Sequence, residues 1–179
     1  MKAFILDRDG VINKGGNINR KAEFVLLPGV TEAIKSLNDM GFEVFVASNQ
    51  GGVGLGHMTK SALKSINGYM VTLIREGGGD IREARYCTHK PHAGCSCRKP
   101  KPGMLNALIE KYGIDRSQSF MVGDRDTDVT AGKNAHVRTV FLGKSIPSGA
   151  RPDYHFDDLP SAVAGLLACN AISNEEGSR

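Results

Sequence analysis

Short apolar runs alternate with segments of helical periodicity along most of the chain. The apolar runs predict strands at residues 3–6, 44–47, 85–87, 120–122, 137–142 and 154–156. Between them, apolar residues recur at spacings of three and four, which is typical of helices that pack by one face. Thr59, Pro102 and Asp158 mark the beginnings of three such helices. This alternation predicts an α/β fold with a doubly wound parallel sheet.

Length and composition predict a globular protein with one core. At 179 residues and 40% hydrophobic content, we predict a single domain at residues 1–169, followed by a polar tail at residues 170–179. No apolar stretch is long enough to cross a bilayer, and the N-terminus shows no signal peptide. We therefore expect a cytoplasmic monomer with no membrane partner.

The net charge of +4 changes this expectation little, because the basic residues are scattered along the chain. There is no Trp, and only 6% of the residues are aromatic, so no stacking platform for single-stranded nucleic acid is evident. A small anionic substrate explains the positive net charge as well as a nucleic acid would. We predict a small-molecule partner and no nucleic acid.

Two carboxylates, Asp7 and Asp9, follow the first predicted strand and precede Gly10. Residues two apart at a strand end can project into one crevice, and open α/β sheets bind ligands at the carboxyl ends of their strands. Such a pair can provide a nucleophile and a proton donor or acceptor. An ordinary turn uses the same residue types, so the other motifs must decide.

Two further motifs offer groups that bind phosphate. Residues 48–51, Ser-Asn-Gln-Gly, follow the second predicted strand and present hydroxyl, amide and backbone donors. The cations Arg98 and Lys99 stand just before the helix that Pro102 opens, and they suit a dianion. A plain turn and a solvated pair of charges are the alternative interpretations.

Another acidic motif follows the fourth predicted strand. Asp124 stands at the strand end, where it can join Asp7 around a Mg2+ ion. Mg2+ prefers oxygen ligands and keeps several waters, so two carboxylates and a backbone carbonyl suffice. Asp126 or Asp128 can instead cap the helix that follows.

Together these residues predict phosphoryl transfer. Mg2+ cancels the repulsion between carboxylates and phosphate, while Lys99 and Ser48 hold the phosphoryl oxygens. Asp7 attacks phosphorus in line to give an aspartyl-phosphate. Asp9 protonates the leaving oxygen and then activates the water that hydrolyses the intermediate. The predicted Mg2+ ligands are Asp7, Asp9 and Asp124.

Three of the four cysteines lie within eleven residues of one another, beside a histidine. Their spacing predicts a closed tetrahedral structural zinc site. The predicted zinc ligands are Cys87, His89, Cys95 and Cys97. His92 is a competing ligand, and reduced surface thiols are the alternative for the whole loop. Zinc would fix the loop that presents Arg98 and Lys99. Cys169 lies on the apolar face of the last helix and is predicted in the core.

The motifs appear in a recognisable order. Asp7-x-Asp9, Ser48, Lys99 and Gly123-Asp124 resemble the four motifs of the haloacid dehalogenase (HAD) superfamily of phosphatases, over residues 3–160. The resemblance implies the HAD-like Rossmannoid fold. No large insertion separates Asp9 from Ser48, and one helix, a short strand and the zinc loop fill residues 48–99. We therefore predict no separate cap domain.

The zinc loop and residues 97–104 together resemble the D-glycero-D-manno-heptose 1,7-bisphosphate 7-phosphatases. Those enzymes remove the 7-phosphate during ADP- or GDP-heptose synthesis. The resemblance implies that Arg98 contributes to substrate recognition and that Lys99 stabilises the phosphoryl group. The substrate site that it implies is also lined by Gly15, Gly16, Asn17, Ile18, Ser48, Asn49, Gln50, Gly51 and Arg125.

The chain departs from this family after Gln50. The family often carries a Ser-Gly pair and an Arg-Gly pair there, whereas residues 51–56 read Gly-Gly-Val-Gly-Leu-Gly, and Ser48 replaces the usual Thr. Residues 123–128 are similar to the histidinol-phosphate phosphatases, which share the zinc loop. Histidinol phosphate or another small phosphomonoester is therefore the second candidate substrate. A nucleic-acid 3′-phosphatase and a non-catalytic zinc domain are the more distant alternatives.

Overall fold

The computed structural model describes residues 1–16 and 18–173. The strands are β1 (Ala3–Leu6), β2 (Glu43–Asn49), β3 (Glu83–Cys87), β4 (Phe120–Gly123), β5 (Arg138–Leu142) and β6 (Tyr154–Phe156). The α-helices are α1 (Val30–Asp39), α2 (Gly51–Gly54), α3 (Lys60–Glu76), α4 (Gly103–Tyr112), α5 (Asp126–Asn134) and α6 (Leu159–Ala168). Short 3-10 helices lie at Lys21–Glu23 and Arg116–Gln118. All neighbouring strands pair in parallel, in the order β3-β2-β1-β4-β5-β6, which confirms the predicted doubly wound sheet.

The sheet separates two apolar cores, because successive strand residues point to opposite faces. Phe4 and Leu6 of β1 belong to the core formed with α1, α3 and α6, whereas Ala3 and Ile5 belong to the core formed with α4 and α5. Helices cover both faces, so the central strands are apolar at almost every position. The polar motifs are therefore left at the strand ends.

Connections between the strands are made of helices and loops. Among the described residues, β1 and β2 are joined through the 3-10 helix at Lys21–Glu23 and α1, and β2 and β4 through α2, α3, β3, the cysteine-rich loop, α4 and the second 3-10 helix. None of these segments forms a separate cap domain, as predicted. A cleft at the strand ends is walled by loops and by residues at the beginnings of α2 and α5.

Two helix starts follow the sequence signals. The Thr59 hydroxyl accepts the Ala62 N–H at 3.0 Å, and the Asp158 carboxylate accepts the Ser161 N–H at 2.8 Å. These side chains satisfy donors that the first turn of a helix leaves unpaired. Gly113 ends α4 in the left-handed conformation, at φ 62°.

The C-terminal segment departs from the sequence predictions. Cys169 is exposed rather than in the core, because α6 ends at Ala168 and Cys169 follows its last turn. Ile172, inside the predicted tail, is 4% exposed and packs on the core beside α6. Residues 174–179 lie outside the described residues. Within the described part of the chain, no helix has the length and apolar composition needed to cross a membrane.

Candidate active site

Polar side chains collect at the carboxyl ends of the central strands. Asp7 follows β1 and Asp124 follows β4, while Ser48 lies near the end of β2. The Asp7 N–H donates to Val122 O at 2.9 Å, so the pairing of β1 with β4 brings the two aspartates together. Gly10 has φ 88°, and a Cβ there would lie 2.1 Å from Asp124 Oδ2. Only glycine fits beside Asp124.

Three carboxylates form a compact acidic cluster. Ligand oxygens of Asp7, Asp124 and Asp128 lie within 4.8 Å of one another. Asp124 Oδ1 is buried and accepts no hydrogen bond. The pKa of Asp124 is raised to about 6, mainly by burial and then by the negative charges of Asp7 and Asp128. Buried carboxylates with an unpartnered oxygen suit a hard cation such as Mg2+.

Lys99 is the cation of this buried centre. Its ammonium lies 2.9 Å from Asp7 Oδ1 and 2.6 Å from Asp128 Oδ1, and it donates to Ala47 O at 2.7 Å. Burial alone would lower the pKa of Lys99, but the two adjacent carboxylates outweigh that effect and raise it. Lys99 is therefore charged at neutral pH and offsets part of the negative charge of the cluster.

The Asp9 carboxylate is held by three other side chains. Fully buried Arg8 donates to it from Nε and Nη2 at distances between 2.9 and 3.1 Å. Asn13 donates to Oδ1 at 3.0 Å, and Gln50 donates to Oδ2 at 2.7 Å. Among the described residues, Asp9 belongs to neither side-chain cluster that fits a metal. The role of Asp9 as a Mg2+ ligand therefore stays a prediction. In that role, Asp9 would bind Mg2+ through its backbone carbonyl rather than its carboxylate.

A cleft of about 860 Å³ opens in front of these groups. Predicted site residues in its lining are Asp7, Asp9, Gly16, Ile18, Ser48, Asn49, Gln50, Gly51, Arg98, Lys99 and Arg125. Gly15 and Asp124 are absent from the lining, and Asn17 lies outside the described residues. Residues 91–95 of the cysteine-rich loop also contribute to the lining. The cleft thus connects the acidic cluster with two arginines and with this loop.

The predicted zinc ligands converge at one point. Cys87 Sγ lies 3.7 Å from Cys95 Sγ and 3.6 Å from His89 Nδ1, which is 3.2 Å from Cys97 Sγ. Zn–S bonds of about 2.3 Å in a tetrahedron separate two sulfurs by about 3.8 Å, close to the observed spacing. Burial, followed by the neighbouring sulfurs, raises the pKa of Cys97 to about 12, so a bound cation would be required to hold Cys97 as a thiolate at neutral pH. His92 lies outside this cluster.

Known proteins share this architecture and much of this sequence. The chain is 42% identical over 178 residues to D-glycero-beta-D-manno-heptose-1,7-bisphosphate 7-phosphatase of Pseudomonas putida, spanning 93% of this chain and 100% of the relative. The enzyme of that name from Pseudomonas aeruginosa is 38% identical over 174 residues, spanning 91% of this chain and 96% of the relative. The chain belongs to the heptose-bisphosphate phosphatase family. A family model described as HAD-hyrolase-like also matches residues 96–162.

A solved structure of this family has the same fold. The crystal structure of D,D-heptose 1.7-bisphosphate phosphatase from B. bronchiseptica, complexed with magnesium and phosphate, matches with a TM-score of 0.85. The two chains are 30% identical, and the match covers 94% of this chain and 99% of that chain. The HAD-like fold expected from the motifs is therefore confirmed.

In this member of the heptose-bisphosphate phosphatase family, the sequence did not predict that Asp128 belongs to the acidic cluster. Asp128 was expected at most to cap α5, and its Oδ2 does accept the Arg125 N–H at 3.1 Å, but Asp128 also joins the acidic cluster. Its spacing of four from Asp124 is the signal that could have found it. Asn49 and Gln50, predicted to line the substrate site, do line the cleft, and they also bond to Lys99 and Asp9.

Proposed function

We propose that the protein is a Mg2+-dependent phosphatase that removes the 7-phosphate of D-glycero-D-manno-heptose 1,7-bisphosphate. The observation that carries the proposal is the acidic cluster of Asp7, Asp124 and Asp128 with Lys99 beside it, because Asp7, Asp128 and Lys99 line an 860 Å³ cleft. The names of the relatives supply the substrate, and the magnesium and phosphate of the B. bronchiseptica structure support the metal.

In the proposed reaction, a carboxylate oxygen of Asp7 attacks phosphorus, and the bond between phosphorus and the sugar oxygen breaks. Asp9 gives its proton to that leaving oxygen. Water then attacks the aspartyl-phosphate, Asp9 takes the proton of the water, and phosphate leaves with Asp7 restored. Lys99 and Ser48 hold the phosphoryl oxygens.

The metal fits the residues present. Asp7, Asp124 and Asp128 offer the carboxylate oxygens for Mg2+, which would neutralise the charge of the phosphate. Arg8, Asn13 and Gln50 occupy the Asp9 carboxylate, so in our proposal one of these hydrogen bonds is exchanged for one to the leaving oxygen when Asp9 transfers its proton. The Lys99 ammonium is the fixed positive charge that remains beside the nucleophile.

The remainder of the cleft suits the rest of a sugar bisphosphate. Arg98 and Arg125 both line it, and guanidinium groups bind phosphate in a bidentate manner. No arginine occurs between Gly51 and Gly56, so we assign recognition of the sugar end to these two arginines. The predicted roles of Gly15 and Asn17 stay predictions.

We propose a structural zinc ion at Cys87, His89, Cys95 and Cys97. Residues 91–95 line the cleft, and Lys99 follows Cys97 by two residues. Zinc there would fix both the wall of the cleft and the segment that carries Arg98 and Lys99. Metal analysis of the purified protein, with one zinc per chain expected, tests this assignment.

The deciding experiment is Mg2+-dependent phosphate release from both anomers of heptose 1,7-bisphosphate, beside histidinol phosphate. Asp7→Asn is the inactive variant, and Asp39→Asn, exposed on α1, is its matched control. We expect the highest kcat/KM with one heptose anomer and no turnover by Asp7→Asn. Turnover surviving that change would refute the mechanism, and a preference for histidinol phosphate would refute the substrate.

We also propose that the protein acts as a cytoplasmic monomer on this small molecule and binds no nucleic acid. Sedimentation equilibrium near the chain mass of 19.2 kDa tests the oligomeric state. Titration of a labelled DNA end at low salt tests nucleic-acid binding, since such binding is strongest there. Microscopy of the tagged protein in its host tests the location.

A further inference from the structure

Asn49 makes contacts unlike those of a substrate-binding residue. It is the last residue of β2, and its Nδ2 donates to Lys99 O at 3.0 Å. The Lys99 N–H donates back to Asn49 Oδ1, also at 3.0 Å. Both polar atoms of the amide are therefore used by the backbone of one residue that lies 50 positions further along the chain.

Lys99 needs such a contact because it belongs to no helix or strand that would fix its position. It lies between β3 and α4, in the loop that follows the last zinc ligand, Cys97. Its ammonium donates to Ala47 O at 2.7 Å. Lys99 is thus bonded to β2 twice, by its backbone through Asn49 and by its side chain through Ala47.

The consequence lies at the nucleophile. With its backbone and ammonium both fixed, Lys99 approaches Asp7 to 2.9 Å and Asp128 to 2.6 Å. Fixed charges stabilise a phosphoryl transition state because no reorganisation is needed when the reaction occurs. A shift of about 1 Å in such a group can lower the rate on the order of 100-fold.

We propose that Asn49 is a positioning residue for Lys99, which acts on the chemical step, and that it is not a contact for the sugar. The proposal rests on the proposed phosphoryl transfer but not on the identity of the sugar. One donor and one acceptor on a short side chain match the two groups of the Lys99 backbone. An aspartate of the same shape would oppose Lys99 O with a second acceptor.

Kinetics with two esters test this role. We expect Asn49→Ala to lower kcat by about 10- to 100-fold and by the same factor for heptose 1,7-bisphosphate and p-nitrophenyl phosphate, with KM little changed. Asn49→Asp should behave alike. Asn106→Ala, on α4 and bonded to Arg116, is the control with wild-type kinetics. A loss confined to the heptose ester, or a loss in KM alone, would overturn the proposal.

A double-mutant cycle with Lys99 separates positioning from a general structural role. If Asn49 acts through Lys99, adding Asn49→Ala to Lys99→Ala costs little further activity. Fully additive losses in folded variants, checked by circular dichroism, would overturn the proposal. Should Asn49→Ala fail to fold, Asn49→Ser takes its place in both experiments.

The outcome for the wild type distinguishes the two proposals. Hydrolysis of p-nitrophenyl phosphate without hydrolysis of either heptose anomer would refute the proposed substrate and leave the Asn49 experiment intact. Hydrolysis of neither ester would refute the proposed function and, with it, the role of Asn49.

Discussion

Helix α2 packs directly on the backbone of the cysteine-rich loop at Gly54. A Cβ at Gly54 would lie 2.6 Å from Lys90 N, 2.7 Å from Thr88 O and 3.0 Å from the carbonyl carbon of His89. These are backbone atoms around His89, a proposed zinc ligand, so they cannot rotate away as a side chain does. We predict that Gly54→Ala destabilises the protein and weakens zinc binding.

The magnitude follows from the contacts. Non-bonded atoms pack best at about 3.5 to 4.0 Å, so the loop has to move by about 1 Å. Overpacking costs about 1–3 kcal/mol, whereas alanine gains up to about 1 kcal/mol over glycine in a helix. We expect a net loss of about 1–2 kcal/mol in the free energy of unfolding. If the strain is confined to the metal-bound loop, zinc binds roughly 5- to 30-fold more weakly.

Two measurements check this prediction. Urea unfolding gives the free energy, and competition with a chelating dye gives the zinc affinity. Gly68→Ala is the matched control, because Gly68 is exposed on α3 and its Cβ would meet nothing within 4 Å. That control should gain about 1 kcal/mol. A Gly54→Ala protein as stable as the wild type, with unchanged zinc affinity, would refute the packing of α2 on this loop.

Three further predictions concern other parts of the molecule. Lys99→Met leaves the carboxylates of the acidic cluster without their cation. We expect it to lower kcat on the order of 100- to 1,000-fold and to cost about 3–5 kcal/mol in the free energy of unfolding without Mg2+. Mg2+ should raise its melting temperature more than that of the wild type. Burial opposes ionisation of Glu83, but hydrogen bonds from Lys111, Tyr112 and Arg85 lower its pKa from 4.5 to about 2. The ionised Glu83 therefore stabilises the folded protein above pH 4.5, and this contribution is lost as the pH falls towards 2. Urea unfolding at pH 7 should show Glu83→Gln less stable by about 2 kcal/mol, and a difference that persists at pH 2 would contradict this. Asp158→Ala removes the α6 cap and should cost about 1 kcal/mol by the same assay, with Asp157→Ala as the control.

The positions of Asp7 and Asp124 in the acidic cluster were predictable, but the contacts that organise the site around them were not. Asp7 and Asp124 follow apolar runs, and parallel strands end at one edge of the sheet, so the sequence brings them together. The partners of Asn49 and Gln50 lie 50 and 41 residues away, and they depend on how a loop without regular structure crosses the strand ends. Residue type alone indicated polar turn residues at both positions.

The outer elements show a second limit. Periodicity placed Cys169 on an apolar helix face, but the helix ends one residue earlier, and hydrophobic patterns do not fix helix ends to one residue. The convergence of the four proposed zinc ligands was easier to predict. Their spacing indicates a tetrahedral site whatever path the rest of the chain takes, and the four ligand atoms do converge.

The position of β1 in the middle of the sheet has a consequence for how the chain folds. β1 pairs with β2 on one side and with β4 on the other, and Phe4 is aligned with Phe120, which lies 116 residues later. Pairings between such distant segments form slowly, because a long loop must close first. During synthesis, Asp124 can reach Asp7 only after about two-thirds of the chain has left the ribosome. In refolding experiments, helical signal should therefore return before phosphatase activity, and the recovery of activity reports the joining of β1 to β4.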